Sequence, residues 1–232
     1  MSNIFVALDF TNLVAAKTFV EKIDPSTCNV KVGKALFTLA GPSFIEYLHR
    51  KNFKVFLDLK FHDIPNTVMN ACEVCASLNV DMLTVHCLGG LDMLQAAKAG
   101  VEQIKNSTTK ILGVTVLTSM SQTTLSQIGI SNTLTEQVLL LADLAAQSEL
   151  HGIVCSAQEV VLVKNKFAQN LKLLTPGIRL SYASNEMHDQ NRVMTPNEAV
   201  AAGSDYLVIG RPITQAKDPQ IVLDKILQDL NQ

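Results

Sequence analysis

The chain has 232 residues, 47% hydrophobic, 17% charged and 5% aromatic, enough to bury a sizeable core in one large domain or two small ones. Nineteen Lys and Arg against 21 Asp and Glu give a formal charge of -2, which argues against a nucleic-acid binder or a protein held on anionic membrane. No apolar run approaches the ~18 residues of a membrane span, and MSNIFVALDF lacks the basic start of a signal peptide. Five cysteines scattered through apolar segments read as reduced thiols, so a cytoplasmic protein is expected.

In chain order, short β-branched runs alternate with amphipathic stretches. Strands are expected at Ile4 to Asp9, Asn29 to Gly33, Phe53 to Lys60, Asp81 to Cys87, Ile111 to Leu117, Gly152 to Ser156, Leu171 to Pro176 and Asp205 to Gly210. Helical periodicity is clear in the first connection, where Leu13, Ala16, Val20 and Ile23 share a face opposite Lys17, Glu21 and Lys22. Thr11, Ser156 and Asp218-Pro219 stand where helix caps belong. Repeats of about 29 residues are the size of minimal βαβ units. Eight of them ending in a helix favour a closed (β/α)8 TIM barrel, an α/β fold, over a doubly wound open sheet. With no linker or composition break, residues 1–232 are expected to form one catalytic domain.

The third strand carries the most chemistry. Phe53, Val55, Leu57 and Leu59 share one parity, and Lys54, Phe56, Asp58 and Lys60 the other. Alternation along a strand sends the apolar set against the helices and aims Asp58 and Lys60 into the C-terminal mouth of the barrel. Lys31 in the second strand and Asp9 at the end of the first join them, with Asp63 just beyond. Structural ion pairs are the plain alternative. Burying several charges is costly and apolar replacements are often as stable, so a cluster at the catalytic face points to function. Carboxylates on either side of Lys60 keep it protonated, as a proton donor requires.

Three other strand ends suit an anion. Gly210-Arg211-Pro212 closes the eighth strand where barrels commonly hold phosphate, and Thr175-Pro176-Gly177-Ile178-Arg179 closes the seventh with a second guanidinium. Leu117-Thr118-Ser119 closes the fifth with two hydroxyls. A phosphorylated small substrate fits this set. Elsewhere, Cys72 and Cys75 form a lone CxxC best read as core packing. His86 ends a strand and is expected to line the pocket, with His62 orienting the neighbouring loop. No His pair has metal spacing, while Asp9 and Asp58 leave room for a carboxylate-bound magnesium ion. Ser119 to Thr135 and Leu180 to Gln190 are lid candidates.

The stretch Asp58-Leu59-Lys60-Phe61-His62-Asp63-Ile64-Pro65-Asn66-Thr67 resembles the DxKxxDIPxT motif of the bacterial orotidine 5′-phosphate decarboxylase family. Ala7-Leu8-Asp9, Lys31-Val32-Gly33, Leu117-Thr118-Ser119, Thr175 to Arg179, Asp189-Gln190-Asn191-Arg192 and Val208 to Pro212 extend the resemblance over essentially the whole chain. It implies a homodimeric barrel converting orotidine 5′-phosphate to UMP and carbon dioxide without metal or cofactor. By the same resemblance, Lys60 protonates C6, Asp58 lies against the departing carboxylate, and Asp63, Ile64 and Thr67 reach the neighbouring site. Asp9 and Lys31 would hold the ribose. Thr118 and Ser119 would read the pyrimidine beside Pro176, and Arg179, Gln190, Gly210 and Arg211 would grip the phosphate. Leu180 to Asn185 depart from the Pro and Gly usual after that arginine. A magnesium-dependent sugar-phosphate decarboxylase or aldolase on a similar barrel is the nearest alternative, marked by chelator sensitivity. A non-catalytic nucleotide-binding protein is another, marked by binding without turnover.

Overall fold

The computed structural model describes residues 3–167, 170–180 and 194–230. Eight parallel strands close into a barrel in sequence order: β1 (Ile4–Ala7), β2 (Asn29–Gly33), β3 (Val55–Phe61), β4 (Met82–His86), β5 (Lys110–Val114), β6 (Gly152–Val154), β7 (Lys172–Thr175) and β8 (Tyr206–Ile209). The seam is β1 against β8, where Ile4, Phe5 and Val6 pair with Leu207, Val208 and Ile209. The described helices are α1 (Leu13–Val20), α2 (Lys34–Ala40), α3 (Pro42–Arg50), α4 (Pro65–Ser77), α5 (Gly90–Glu102), α6 (Gln122–Gln127), α7 (Leu134–Gln147), α8 (Val160–Phe167), α9 (Pro196–Ala202), α10 (Arg211–Thr214) and α11 (Pro219–Leu230).

All eight expected strands are present, but six stop one to three residues before their apolar runs end. There the chain leaves the ladder to cross the barrel mouth while its apolar residues still cover core. Two layers of core follow from strand alternation. Ile4, Val6, Val30, Val55 and Leu57 face the helices, whereas Phe5, Phe56, Met82, Leu112, Leu174 and Val208 fill the interior. Phe5 meets Phe56 edge-on at 5.7 Å and Tyr206 at 6.1 Å, plugging the N-terminal half and leaving the other half for polar groups.

Local chemistry sets the helix starts. Thr133 with Glu136 and Thr195 with Glu198 form reciprocal capping boxes. The first helix is capped by Asn12, whose Oδ1 accepts from the Ala15 amide at 3.0 Å. Thr11, the expected cap, stands one residue too early to reach that amide. Gly100 lets α5 lie on α4, because a Cβ there would stand 2.2 Å from the Met69 carbonyl oxygen. All five cysteines are buried thiols, none of them in a disulfide. Burial pushes the Cys72 and Cys75 thiols up to about 12, as expected of core packing. Among the described residues no helix is long and apolar enough to cross a membrane.

Candidate active site

The mouth is built around an irregularity in β3. Its ladder with β4 steps from Leu57 opposite Leu83 straight to Phe61 opposite Val85. Asp58, Leu59 and Lys60 therefore share the single residue Thr84 as their counterpart. Lys60 takes up the slack with φ +53, the left-handed region, which costs a residue with a Cβ about 1–2 kcal/mol. Its amide donates to Thr84 Oγ1 at 2.9 Å. The expected parity survives the bulge, since Leu59 and Phe61 still pack on the outer core while Asp58 and Lys60 turn to the mouth.

Four charges of alternating sign meet there. Lys60 Nζ lies 2.7 and 2.8 Å from the two Asp58 oxygens. Lys31 Nζ lies 3.6 Å from Asp58 Oδ2 and donates to Asp9 Oδ1 at 3.1 Å. Asp58 and Lys31 side chains are only 13% and 11% exposed, Lys60 is 25% exposed, and Asp9 at 68% is open to the ligand side. Burial works to raise the Asp58 carboxyl, but Lys31, Lys60 and hydrogen bonds from Lys60 and Thr84 outweigh it and hold it below the ordinary carboxylate range. Two lysines and two carboxylates alternate in this tetrad, and Asp58 is held as an anion between Lys31 and Lys60.

Across the mouth, Thr118, Pro176, Arg179, Gly210 and Arg211 line the same cavity of about 650 Å³, a size suited to a small ligand. Gly177 has φ +80, so the turn that delivers Arg179 demands glycine. Its next residues are anchored where the Arg179 amide donates to the Met194 carbonyl at 2.9 Å. A Cβ on Gly210 would stand 3.5 Å from Ala7 Cβ and 4.0 Å from Asp9 Oδ2, so the end of β8 passes directly beside β1. Two arginines and an acid–base tetrad lining one cavity match a ligand that carries both a phosphate and a reacting carbon.

Nine expected residues thus converge: Asp9, Lys31, Asp58, Lys60, Thr118, Pro176, Arg179, Gly210 and Arg211. Asp63, Ile64 and Thr67 do not line the cavity; all three are exposed, and Asp63 Oδ1 accepts from the Ile64 amide at 2.7 Å. Ser119 is exposed and also outside the lining. Gln190, and the lid residues from Ser181 onward, lie outside the described residues. The other lid candidate, Ser119 to Thr135, contains helix α6. His86 does not line the cavity; its ring packs 5.5 Å from that of His62, and its Nδ1 is buried without a partner. Sequence reasoning turned Phe56 inward but missed the rest of the apolar wall, Val114, Val154, Leu174 and Val208, because interior barrel residues look like any core. It also missed Thr84, an unremarked threonine inside a strand. Among the described residues no three His, Cys, Asp or Glu side chains gather as a metal group.

A closed parallel barrel with an acid–base tetrad and paired arginines at its C-terminal mouth defines the class: (β/α)8-barrel enzymes acting on small phosphorylated molecules. The orotidine 5′-phosphate decarboxylase / HUMPS family model matches residues 2–226. Orotidine 5′-phosphate decarboxylases from Legionella pneumophila (strain Corby) and Vibrio cholerae (strain O395) are each 52% identical over 227 residues, covering 98% of this chain and 98% and 97% of theirs. The crystal structure of orotidine 5′-phosphate decarboxylase from Lactobacillus acidophilus superposes with a TM-score of 0.88 at 38% identity, covering 99% of both chains. An uncharacterized conserved protein from Geobacillus kaustophilus does so at 0.85 and 34%, covering 98% of this chain and 100% of that one. The chain belongs to the orotidine 5′-phosphate decarboxylase / HUMPS family.

Proposed function

We propose that the chain decarboxylates orotidine 5′-phosphate to UMP and carbon dioxide, the last step of UMP synthesis, with Lys60 as the acid. The observation that carries the reading is the Lys60 ammonium clasped by both Asp58 oxygens inside a cavity that also holds Arg179 and Arg211. The relatives at 52% identity are named for the same reaction.

The chemistry follows from the charges. The bond from C6 to the carboxyl carbon breaks, its electron pair stays on C6, and carbon dioxide leaves. A fixed ammonium beside C6 stabilises that developing charge and then donates its proton, giving UMP and a neutral amine that solvent reprotonates. In this reading Asp58 lies against the substrate carboxylate, so like charges favour departure. Lys31 and Asp9 hold the ribose hydroxyls. Thr118 and Pro176 frame the ring. Arg179, Gln190, Gly210 and Arg211 take the phosphate, whose binding energy holds the ring in place during the reaction.

Asp63, Ile64 and Thr67 are supplied to the site of a second copy. Their exposure supports this: Ile64 is a large apolar side chain left 66% exposed beside Asp63, which forms no salt bridge among the described residues. Five buried thiols that form no disulfide fit a cytoplasmic home.

Ultraviolet absorbance after adding metal-stripped protein to orotidine 5′-phosphate tests the reading. Conversion to UMP with chelator present is expected. Turnover only with added magnesium would favour the sugar-phosphate alternative, and UMP binding without turnover would leave a nucleotide-binding protein.

A further inference from the structure

We propose that Thr84 is a positioning residue that clamps Asp58 and Lys60 together through one hydroxyl; the inference rests on the reading of the activity above. Its warrant is the bulge. Three residues of β3 face one residue of β4, so the Lys60 amide has no ladder carbonyl opposite it, and the Thr84 side chain stands in. Thr84 Oγ1 accepts from the Lys60 amide at 2.9 Å and donates to Asp58 Oδ1 at 3.0 Å.

The two bonds are not independent. With the amide hydrogen aimed at the oxygen, the hydroxyl's own hydrogen is left to point at the carboxylate. One atom thereby fixes the backbone that carries the ammonium and the rotamer of the anion it contacts. Thr84 is wholly buried, so no water competes for either bond. Lys60 needs such a tether because its left-handed backbone would otherwise relax toward an ordinary strand and swing the side chain away from the mouth. Thr84 touches neither the cavity nor, in this reading, the substrate. It acts through its two neighbours.

Thr84→Val keeps the shape and removes the hydroxyl, while Thr84→Ser keeps the hydroxyl and removes a methyl. Thr84→Val is expected to lower kcat by about 10- to 100-fold, with KM and UMP affinity changed by less than about 3-fold. The acidic limb of its kcat profile should move to higher pH, since Asp58 loses a donor to its charged form. Thr84→Ser should stay within about 3-fold of the parent. Unchanged kcat in Thr84→Val, or a loss that Thr84→Ser shares, would overturn the clamp, as would loss of kcat and UMP affinity in parallel.

Hydrogen exchange on the unaltered chain decides the point even if Thr84→Val does not fold. The Lys60 amide should be protected like the ladder amides of β3, and rapid exchange would overturn the proposal. Exchange reads the clamp without reference to turnover. A parent protein that protects this amide yet does not decarboxylate orotidine 5′-phosphate would sink the activity and leave the clamp standing.

Discussion

Removing the Lys60 ammonium probes the centre of the proposed chemistry. Its Nζ lies 2.7 Å from Asp58 Oδ1 and is three-quarters buried, so its charge is only lightly screened by water. A reacting carbon in near-attack geometry stands about 3–3.5 Å away. At an effective dielectric of about 20, a unit charge at that distance contributes about 5 kcal/mol. The substrate carboxylate is already anionic before the bond breaks, so only the gain on moving charge to C6 counts. Half the full term, about 2.5 kcal/mol, is roughly two orders of magnitude in rate. Loss of the general acid adds about 10²- to 10⁴-fold. Lys60→Ala is therefore expected to lower kcat by about 10⁴-fold or more in the absorbance assay. UMP has no carboxylate and keeps its phosphate contacts, so its affinity by calorimetry should change by less than about 10-fold. Retention of more than about 1% of kcat would refute the acid assignment. Joint loss of turnover and UMP binding would refute the separation of phosphate grip from chemistry.

Arg211→Ala should weaken UMP binding by about 10- to 100-fold through loss of a charge-assisted phosphate contact, and unchanged affinity by calorimetry would remove it from the phosphate site. If sites are shared between copies, mixing inactive Asp63→Ala with inactive Lys60→Ala after mild denaturation should restore turnover that neither shows alone; no recovery in dimers shown to be mixed would confine each site to one chain. Burial, with neighbouring positive groups, pushes His86 and His151 down to about 4 from 6.5. Between those values the folded chain binds fewer protons than the unfolded one, so this stability is complete above pH 6.5 and is lost as pH falls toward 4. His151→Phe should flatten the fall in melting temperature from about pH 7 to about pH 5, and an unaltered slope would count against its share.

Much of this is legible in the sequence. A barrel strand tolerates charge on one parity only at its mouth, so Asp58, Lys60 and Lys31 announced both their direction and their partners. Glycine and arginine after β7 and β8 were weaker signals one by one, since Gly210-Arg211-Pro212 could be an ordinary turn, and they gained meaning only as a set. The bulge was not legible: a strand pattern with two residues too many still alternates, and nothing in Asp58-Leu59-Lys60 says that one threonine faces all three. Hence Thr84 was missed. Val114, Val154 and Leu174 were hidden for a different reason, since the wall of a cavity and the filling of a core have the same composition. Asp63 and Ile64 were readable as functional through resemblance, yet one chain's geometry gives them nothing to act on.

The seam between β1 and β8 joins residues from almost opposite ends of the chain. During synthesis the first seven strands emerge as an open sheet with two raw edges, able to pair with other chains. Closure waits for Tyr206–Ile209, and Gly210 then arrives beside Ala7 and Asp9. Hiding the last edge and bringing Gly210 to the first strand's carboxylate are one event. A ribosome-bound nascent chain short of this strand would have the tetrad's sequence and no finished pocket, so competence to bind nucleotide should appear late and abruptly as the chain lengthens.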